Sequence, residues 1–349
     1  MRPSIASRGR ARPSALGALL ILLFTSCGGD QPQSALEPAG PFARDADQLW
    51  DITFGVAVVI FFVVEAALVW VLFRYRHRPG RKAAQFHGNT RLEIILTVIP
   101  AMILATIAVP TVDTIFDLAR APEGAMEIEV IGHRFWWEYR YPEEGITTAN
   151  EMHIPVDTPI KLRLVGAEAD TIDQQEEIIH SFWVPQLGGA QDIIPGREAT
   201  LLIQADDPGV YRGQCKEYCG LAHGDMRLRV HAETQEGFDS WVADTTDAPS
   251  QPTGLAAEGR QIFESGGGGI TQPCAGCHAV ETDAQGVAPN LANFAARETF
   301  AGAIFPNEPE FLRAWIADPQ AEKAGAKMPD VGASPQQIDA LVAYLRSLD

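Results

Sequence analysis

Hydrophobic residues gather in three runs near the N-terminus and then thin into short alternating segments. Residues 15–24 follow Arg2, Arg8, Arg10 and Arg12. They are roughly ten apolar residues, where crossing a bilayer takes about 20, so the pattern is that of an export signal. Residues 52–73 are apolar except for Glu65, and residues 94–115 form a second run interrupted by Pro100 and Pro110. Each is long enough for a membrane-spanning helix, which predicts a two-helix transmembrane hairpin over residues 45–118. The loop between them carries Arg74, Arg76, Arg78, Arg81 and Lys82. Such charge favours the cytoplasmic side, so both flanks, and everything C-terminal to the second helix, are expected outside.

The period then shortens. Residues 127–131, 161–164, 200–203 and 227–230 are alternating or β-branched segments bounded by Pro, Gly and Asp turns such as Asp207-Pro208-Gly209. They predict an all-β sandwich or barrel over residues 122–242. Residues 243–253, rich in Asp, Thr, Ser and Pro, read as a linker. From residue 254 to 349 the patterns are helical. Residues 258–264 lead into a cysteine motif, and residues 309–317 predict a helix containing Trp315. Ser334-Pro335-Gln336-Gln337 predicts a capped helix start, after which Ile338, Leu341, Val342 and Leu345 line one face. No internal repeat is present.

Composition narrows the function. A net charge of −18 argues against nucleic acid and favours a basic protein partner. The five cysteines leave none for a disulfide framework. Cys27 ends Leu23-Phe24-Thr25-Ser26-Cys27, a lipobox-like sequence, so residues 1–27 are expected to be a lipoprotein-type signal; an ordinary signal peptide is the alternative.

The other four cysteines form two chemical clusters. Cys215 and Cys219 are followed by His223 and Met226, with His180 upstream. Thiolates, a thioether and imidazoles favour copper over hard cations. A single blue-copper ion needs one thiolate, so the second points to a binuclear site. A Cys₂His₂ zinc site using His180 or His231, or a disulfide, stays open at this level. Farther on, Cys274-Ala275-Gly276-Cys277-His278 carries the spacing of covalent c-type haem attachment, with His278 as proximal ligand. Met328 is the only methionine after it and no histidine follows, which makes Met328 the candidate second axial ligand.

These segments bring a family into view. Gly213-Gln214-Cys215-Lys216-Glu217-Tyr218-Cys219-Gly220 with His223 and Met226 resembles the copper-A signature of cytochrome c oxidase subunit II. The segment around His180 and the turn Ile194-Pro195-Gly196-Arg197 resemble its flanking parts. Ala326-Lys327-Met328-Pro329 and Val287-Ala288-Pro289-Asn290-Leu291 are similar to class I cytochromes c. The resemblance implies a transmembrane hairpin, an all-β cupredoxin-like barrel and an all-α class I cytochrome c domain. It implies two coppers bridged by Cys215 and Cys219, with His180 and His223 terminal and Met226 and the Glu217 carbonyl weaker ligands. The Glu217 side chain would reach a magnesium at the interface with subunit I.

By the same resemblance Gly132-His133-Arg134-Phe135-Trp136-Trp137 would be the electron-entry segment, with Phe135 standing where the family has tryptophan. A fused donor has no need of a solution-docking patch, so Phe135 is expected to matter less than that tryptophan. Glu93 would lie near the entrance of a proton path, or serve as a helix-end charge. Glu65 is expected to face a partner subunit through a hydrogen bond.

The whole implies subunit II of an aa3-family, caa-type cytochrome c oxidase in a bacterial inner membrane. Both soluble domains would be periplasmic or extracellular, beside subunits I and III. Electrons would come from a soluble or membrane-bound cytochrome c or a quinol–cytochrome c reductase and pass through haem c and copper A. Oxygen would be reduced on another subunit with proton pumping. Nitrous-oxide reduction would require many more than the eight histidines present. A freestanding electron carrier is the remaining alternative.

Overall fold

The computed structural model describes residues 31–80, 87–167, 178–247 and 251–348. The export signal with Cys27, and Arg81 and Lys82 of the basic loop, lie outside these residues.

Two long helices lead, α1 (Pro41–Tyr75) and α2 (Thr90–Leu118). Their apolar side chains face outward; Phe61, Phe62, Leu72 and Leu104 are all more than half exposed. A surface this apolar is stable in lipid, and each helix exceeds the length of a bilayer crossing. Glu65 lies on the exposed surface of α1. Glu93 lies in the first turn of α2, where its carboxylate accepts from the Asn89 amide at 3.3 Å while Asn89 caps Leu92. Ahead of α1 the chain is stitched to the soluble part. The Ala39 amide donates to Gln186 O (2.8 Å), Asp206 donates to Ala39 O (2.9 Å), and Arg44 pairs with Asp206. The N-terminal end of α1 is therefore held against the β domain, and β1 follows the C-terminal end of α2, while the basic loop joins the opposite ends of the two helices.

Among the described residues ten strands follow, from β1 (Met126–His133) and β2 (Trp136–Tyr141) through β3 (Ile146–Ala149), β4 (Glu151–Pro155) and β5 (Ile160–Gly166). The remainder are β6 (His180–Trp183), β7 (Ala190–Ile193), β8 (Glu198–Ile203), β9 (Gly209–Gln214) and β10 (Arg227–Glu233). One sheet has the order β3-β2-β1-β5-β8, the other β4-β10-β9, and β6 pairs with β7. Alternation along β5 buries Ile160, Leu162 and Leu164 and turns Lys161 and Arg163 outward. With Ile128, Val130, Trp137, Tyr139 and Phe182 these form the core of a cupredoxin-like sandwich.

Helix α3 (Gln235–Thr246) runs past the edge expected at residue 242. Phe238, Trp241 and Val242 pack on the sandwich core and Thr245 is buried, so residues 243–246 are helix despite a composition that reads as linker. The last domain is helical: α4 (Leu255–Ser265), α5 (Pro309–Ala317), α6 (Pro319–Glu322) and α7 (Pro335–Leu345), with a short ribbon of β11 (Thr299–Phe300) and β12 (Phe305–Pro306). Ser334 and Gln337 form the capping box at the start of α7, and Ile338, Leu341, Val342 and Leu345 are buried. This domain rests on the sandwich. The Thr147 amide donates to Thr282 O at 2.8 Å, Arg229 pairs with Glu298 at 2.8 Å, and buried Glu151 accepts from the Glu298 amide and the Thr299 hydroxyl.

Candidate copper and haem centres

Strands β9 and β10 pair as far as Gln214 and Arg227, and the loop they enclose holds the first cluster. Its ends are closed by the Cys215 amide donating to Met226 O at 2.9 Å. The Lys216 amide donates to Ser181 O at 3.0 Å, which ties the loop to β6 and so to His180. The sulfurs of Cys215 and Cys219 are 3.9 Å apart. His180 Nδ1 is 3.8 Å from the first and His223 Nδ1 3.6 Å from the second, while Met226 Sδ is 3.9 Å from Cys219. Cys215 Sγ lies 3.2 Å from Glu217 O, while the Glu217 side chain is exposed to solvent.

Cys215, Cys219, His180 and Met226 are buried. Gly132 makes room for the imidazole: an ideal Cβ there would lie 3.1 Å from the ring of His180. Trp137 meets the same ring edge-on at 6.0 Å between centroids. The thiols titrate as a pair. Hydrogen bonding from Cys219, and then from His180, draws Cys215 below the ordinary thiol range against the cost of burial. Cys219, sharing that hydrogen bond and also buried, is raised. The pair thus gives up its first proton more readily than its second, and a bound metal would displace both. His231, the alternative zinc ligand, is instead stacked on His153 at 4.7 Å, and all four described cysteines are free thiols. Two sulfurs, two imidazoles and a thioether around one buried point fit copper.

The second cluster is built on a single turn. Residues Cys274–Gly276 form a 3₁₀ turn, and the His278 amide donates to Cys274 O at 2.9 Å. His278 Nδ1 donates to Pro289 O at 2.8 Å, which leaves Nε2 as the free ring nitrogen. Burial lowers the pKa of His278, opposed by that hydrogen bond and reinforced by the Arg297 cation, so the ring is held neutral, as a ligand must be. Cys274, Cys277, His278 and Met328 all line one largely apolar cavity, and Trp315 Nε1 lies 3.1 Å from Met328 Sδ. Two thiols, a neutral imidazole and a thioether in an apolar cavity fit a covalently held haem.

Three family models divide the chain among them. Residues 33–114 match the cytochrome c oxidase subunit II transmembrane domain, residues 126–233 the subunit II periplasmic domain, and residues 256–349 cytochrome c. Cytochrome c oxidase subunit 2 of Alkalihalophilus pseudofirmus is 37% identical over 341 residues, covering 95% of each chain. The chain belongs to the cytochrome c oxidase subunit II family. A second subunit 2, from Bacillus sp. (strain PS3), is 34% identical over 95% of this chain and 96% of its own. Quinol oxidase subunit 2 of Bacillus spizizenii is 35% identical over 68% of this chain and 74% of its own. This member of the family therefore carries a fused cytochrome c domain and serves a haem–copper oxidase in electron transfer.

In this subunit II the aromatic segment is not an open patch. Phe135, Trp136 and Trp137 are all buried. Trp137 is core beside His180, whereas Phe135 and Trp136 line the haem cavity. The fused cytochrome domain covers this segment, so Phe135 and Trp136 face the haem cavity and not solvent. Lys323, Gly302 and Glu151, which join the domains, gave no local sequence signal.

Proposed function

We propose that this chain is the electron-input subunit of an aa3-family, proton-translocating cytochrome c oxidase. Cys274, Cys277, His278 and Met328 would hold haem c. His180, Cys215, Glu217 O, Cys219, His223 and Met226 would hold a binuclear copper-A centre. When bound, these groups supply one-electron carriers that link an external donor to the oxygen-reducing subunit. The chain's own residues set their environment. Burial of both sulfurs excludes water from the copper loop, the Pro289 carbonyl orients His278, and Trp315 steers the thioether of Met328.

The reading rests most on one observation. Phe135 lines the haem cavity, and an ideal Cβ on Gly220, next to Cys219, would lie 3.0 Å from its Cζ. One side chain thus lines the haem cavity and packs against the copper loop.

Subunits I and III would flank α1 and α2, with both soluble domains on the periplasmic or extracellular side, opposite the basic loop. The outward Glu217 carboxylate is suited to a magnesium shared with subunit I. Glu93, at the basic-loop end of α2, is the candidate proton-path carboxylate, and Glu65 is suited to a hydrogen bond with a partner helix. A cytochrome c or a quinol–cytochrome c reductase would be the donor, and the mature chain would keep Cys27 as a lipidated N-terminus.

Stopped-flow reduction of the purified oxidase tests the relay. The haem-to-copper step should be independent of protein concentration and only weakly dependent on salt. Reduction by an external basic donor should slow as ionic strength rises, since residues 254–349 hold twelve Asp and Glu against six Lys and Arg. A haem-to-copper rate proportional to concentration would exclude an intramolecular relay.

A further inference from the structure

Lys323 is a lysine in an unusual place. It follows α6 in the cytochrome domain and is only 4% exposed. Its Nζ donates to Ala301 O in its own domain and to Phe135 O in the cupredoxin domain, both at 2.9 Å. Burial lowers its pKa to about 8, although the Asp225 carboxylate pulls the other way. Replacing a buried charge by an apolar side chain of similar volume is often neutral or stabilising, so stability alone gives no reason for an ammonium here.

Its neighbours converge on the copper loop. Gly302, at φ +83°, lies so close to the other domain that an ideal Cβ would be 2.6 Å from Asp225 O. Its carbonyl accepts from the Arg227 amide at 3.1 Å. An ideal Cβ on Gly325 would be 3.0 Å from the Cβ of Leu221. Lys323, Gly302 and Gly325 of one domain therefore grip residues 221–227 and the Phe135 carbonyl of the other.

We propose that Lys323 is a positioning residue that locks the cytochrome domain onto the copper loop, making it a resident donor and not a tethered shuttle. This rests on the intramolecular relay proposed above and adds the device that holds it. Lys323 touches neither donor set. It acts by fixing the Phe135 backbone, whose ring lies between the haem cavity and Gly220.

The test uses the full chain with haem and copper incorporated, purified in detergent, as wild type, Lys323→Met and Gly302→Val. Haem-to-copper transfer is followed after flash photoreduction, and hydrogen exchange is read at the Arg227 amide. Both variants should retain haem and copper. Transfer should slow by about tenfold or more, in proportion to the fraction of time the released domain spends docked. The Arg227 amide should exchange faster than in wild type. Unchanged rates and unchanged protection in both variants would overturn the lock. Loss of copper from Lys323→Met would also overturn it, by assigning Lys323 to folding of the loop. A wild-type rate proportional to protein concentration is a different failure, seen before any substitution, and would remove the relay itself.

Discussion

Trp315 Nε1 donates to the sulfur of Met328 at 3.1 Å, across the haem cavity wall shared by α5 and the Lys327-Met328-Pro329 turn. That hydrogen bond fixes the orientation of the thioether. Met328→Ala should leave haem attached through Cys274 and Cys277 but lower its potential and open the iron to exogenous ligands. Absorption spectra with added cyanide or imidazole decide this; a spectrum identical to wild type would rule out Met328 as the axial ligand.

The copper loop and the haem turn hang from different cores, the sandwich and the α4–α7 cluster. Cys219→Ser should abolish the binuclear copper signal in electron paramagnetic resonance, because it removes one of two sulfurs 3.9 Å apart. Haem content should stay at the wild-type level. Loss of haem in this variant would show that the two cores do not load independently.

Much of the organisation was legible because it is local. The helices of the hairpin follow from apolar length, β5 from alternation, and α7 from Ser334 and Gln337. Both donor sets are mostly short-range, with Cys215 to Met226 on one loop and Cys274 to His278 on one turn. Residues 243–246 misled because Asp, Thr and Ala read as linker, whereas packing of Trp241 and Val242 extends the helix. The setting of Phe135 was not legible for another reason: its carbonyl meets Lys323, 188 residues away. No periodicity or motif encodes which surface one domain offers another.

Glu151 illustrates the same long-range logic and has its own test. It is 2% exposed, and its carboxylate accepts from the Glu298 amide at 3.0 Å and from the Thr299 hydroxyl. Glu151→Leu has a similar volume but leaves the Glu298 amide and the Thr299 hydroxyl without their acceptor. A buried polar group left unsatisfied costs about 1–3 kcal/mol. The variant should unfold at lower temperature or denaturant concentration, with haem and copper content intact. A stability equal to wild type would mean that water satisfies this part of the interface.

Lys323 also predicts a pH dependence of definite sign. Its folded pKa is lowered from 10.5 to about 8, chiefly by burial. Between those values the unfolded chain binds the proton and the folded chain does not, so stability contributed at this site rises with pH. Below about pH 8 both states are protonated and the full penalty of the buried ammonium applies, about 3 kcal/mol on the scale of 1.36 kcal/mol for each pH unit. The quantity to follow is the difference between wild type and Lys323→Met, which isolates this one site. Thermal midpoints of the full chain in detergent, measured from pH 7 to 10.5, should show wild type gaining on the variant from about pH 8 upward, with no further gain above about pH 10.5. A difference that stays constant across the series would mean that Lys323 titrates as an ordinary lysine and is not held in a dry seat between Ala301 and Phe135.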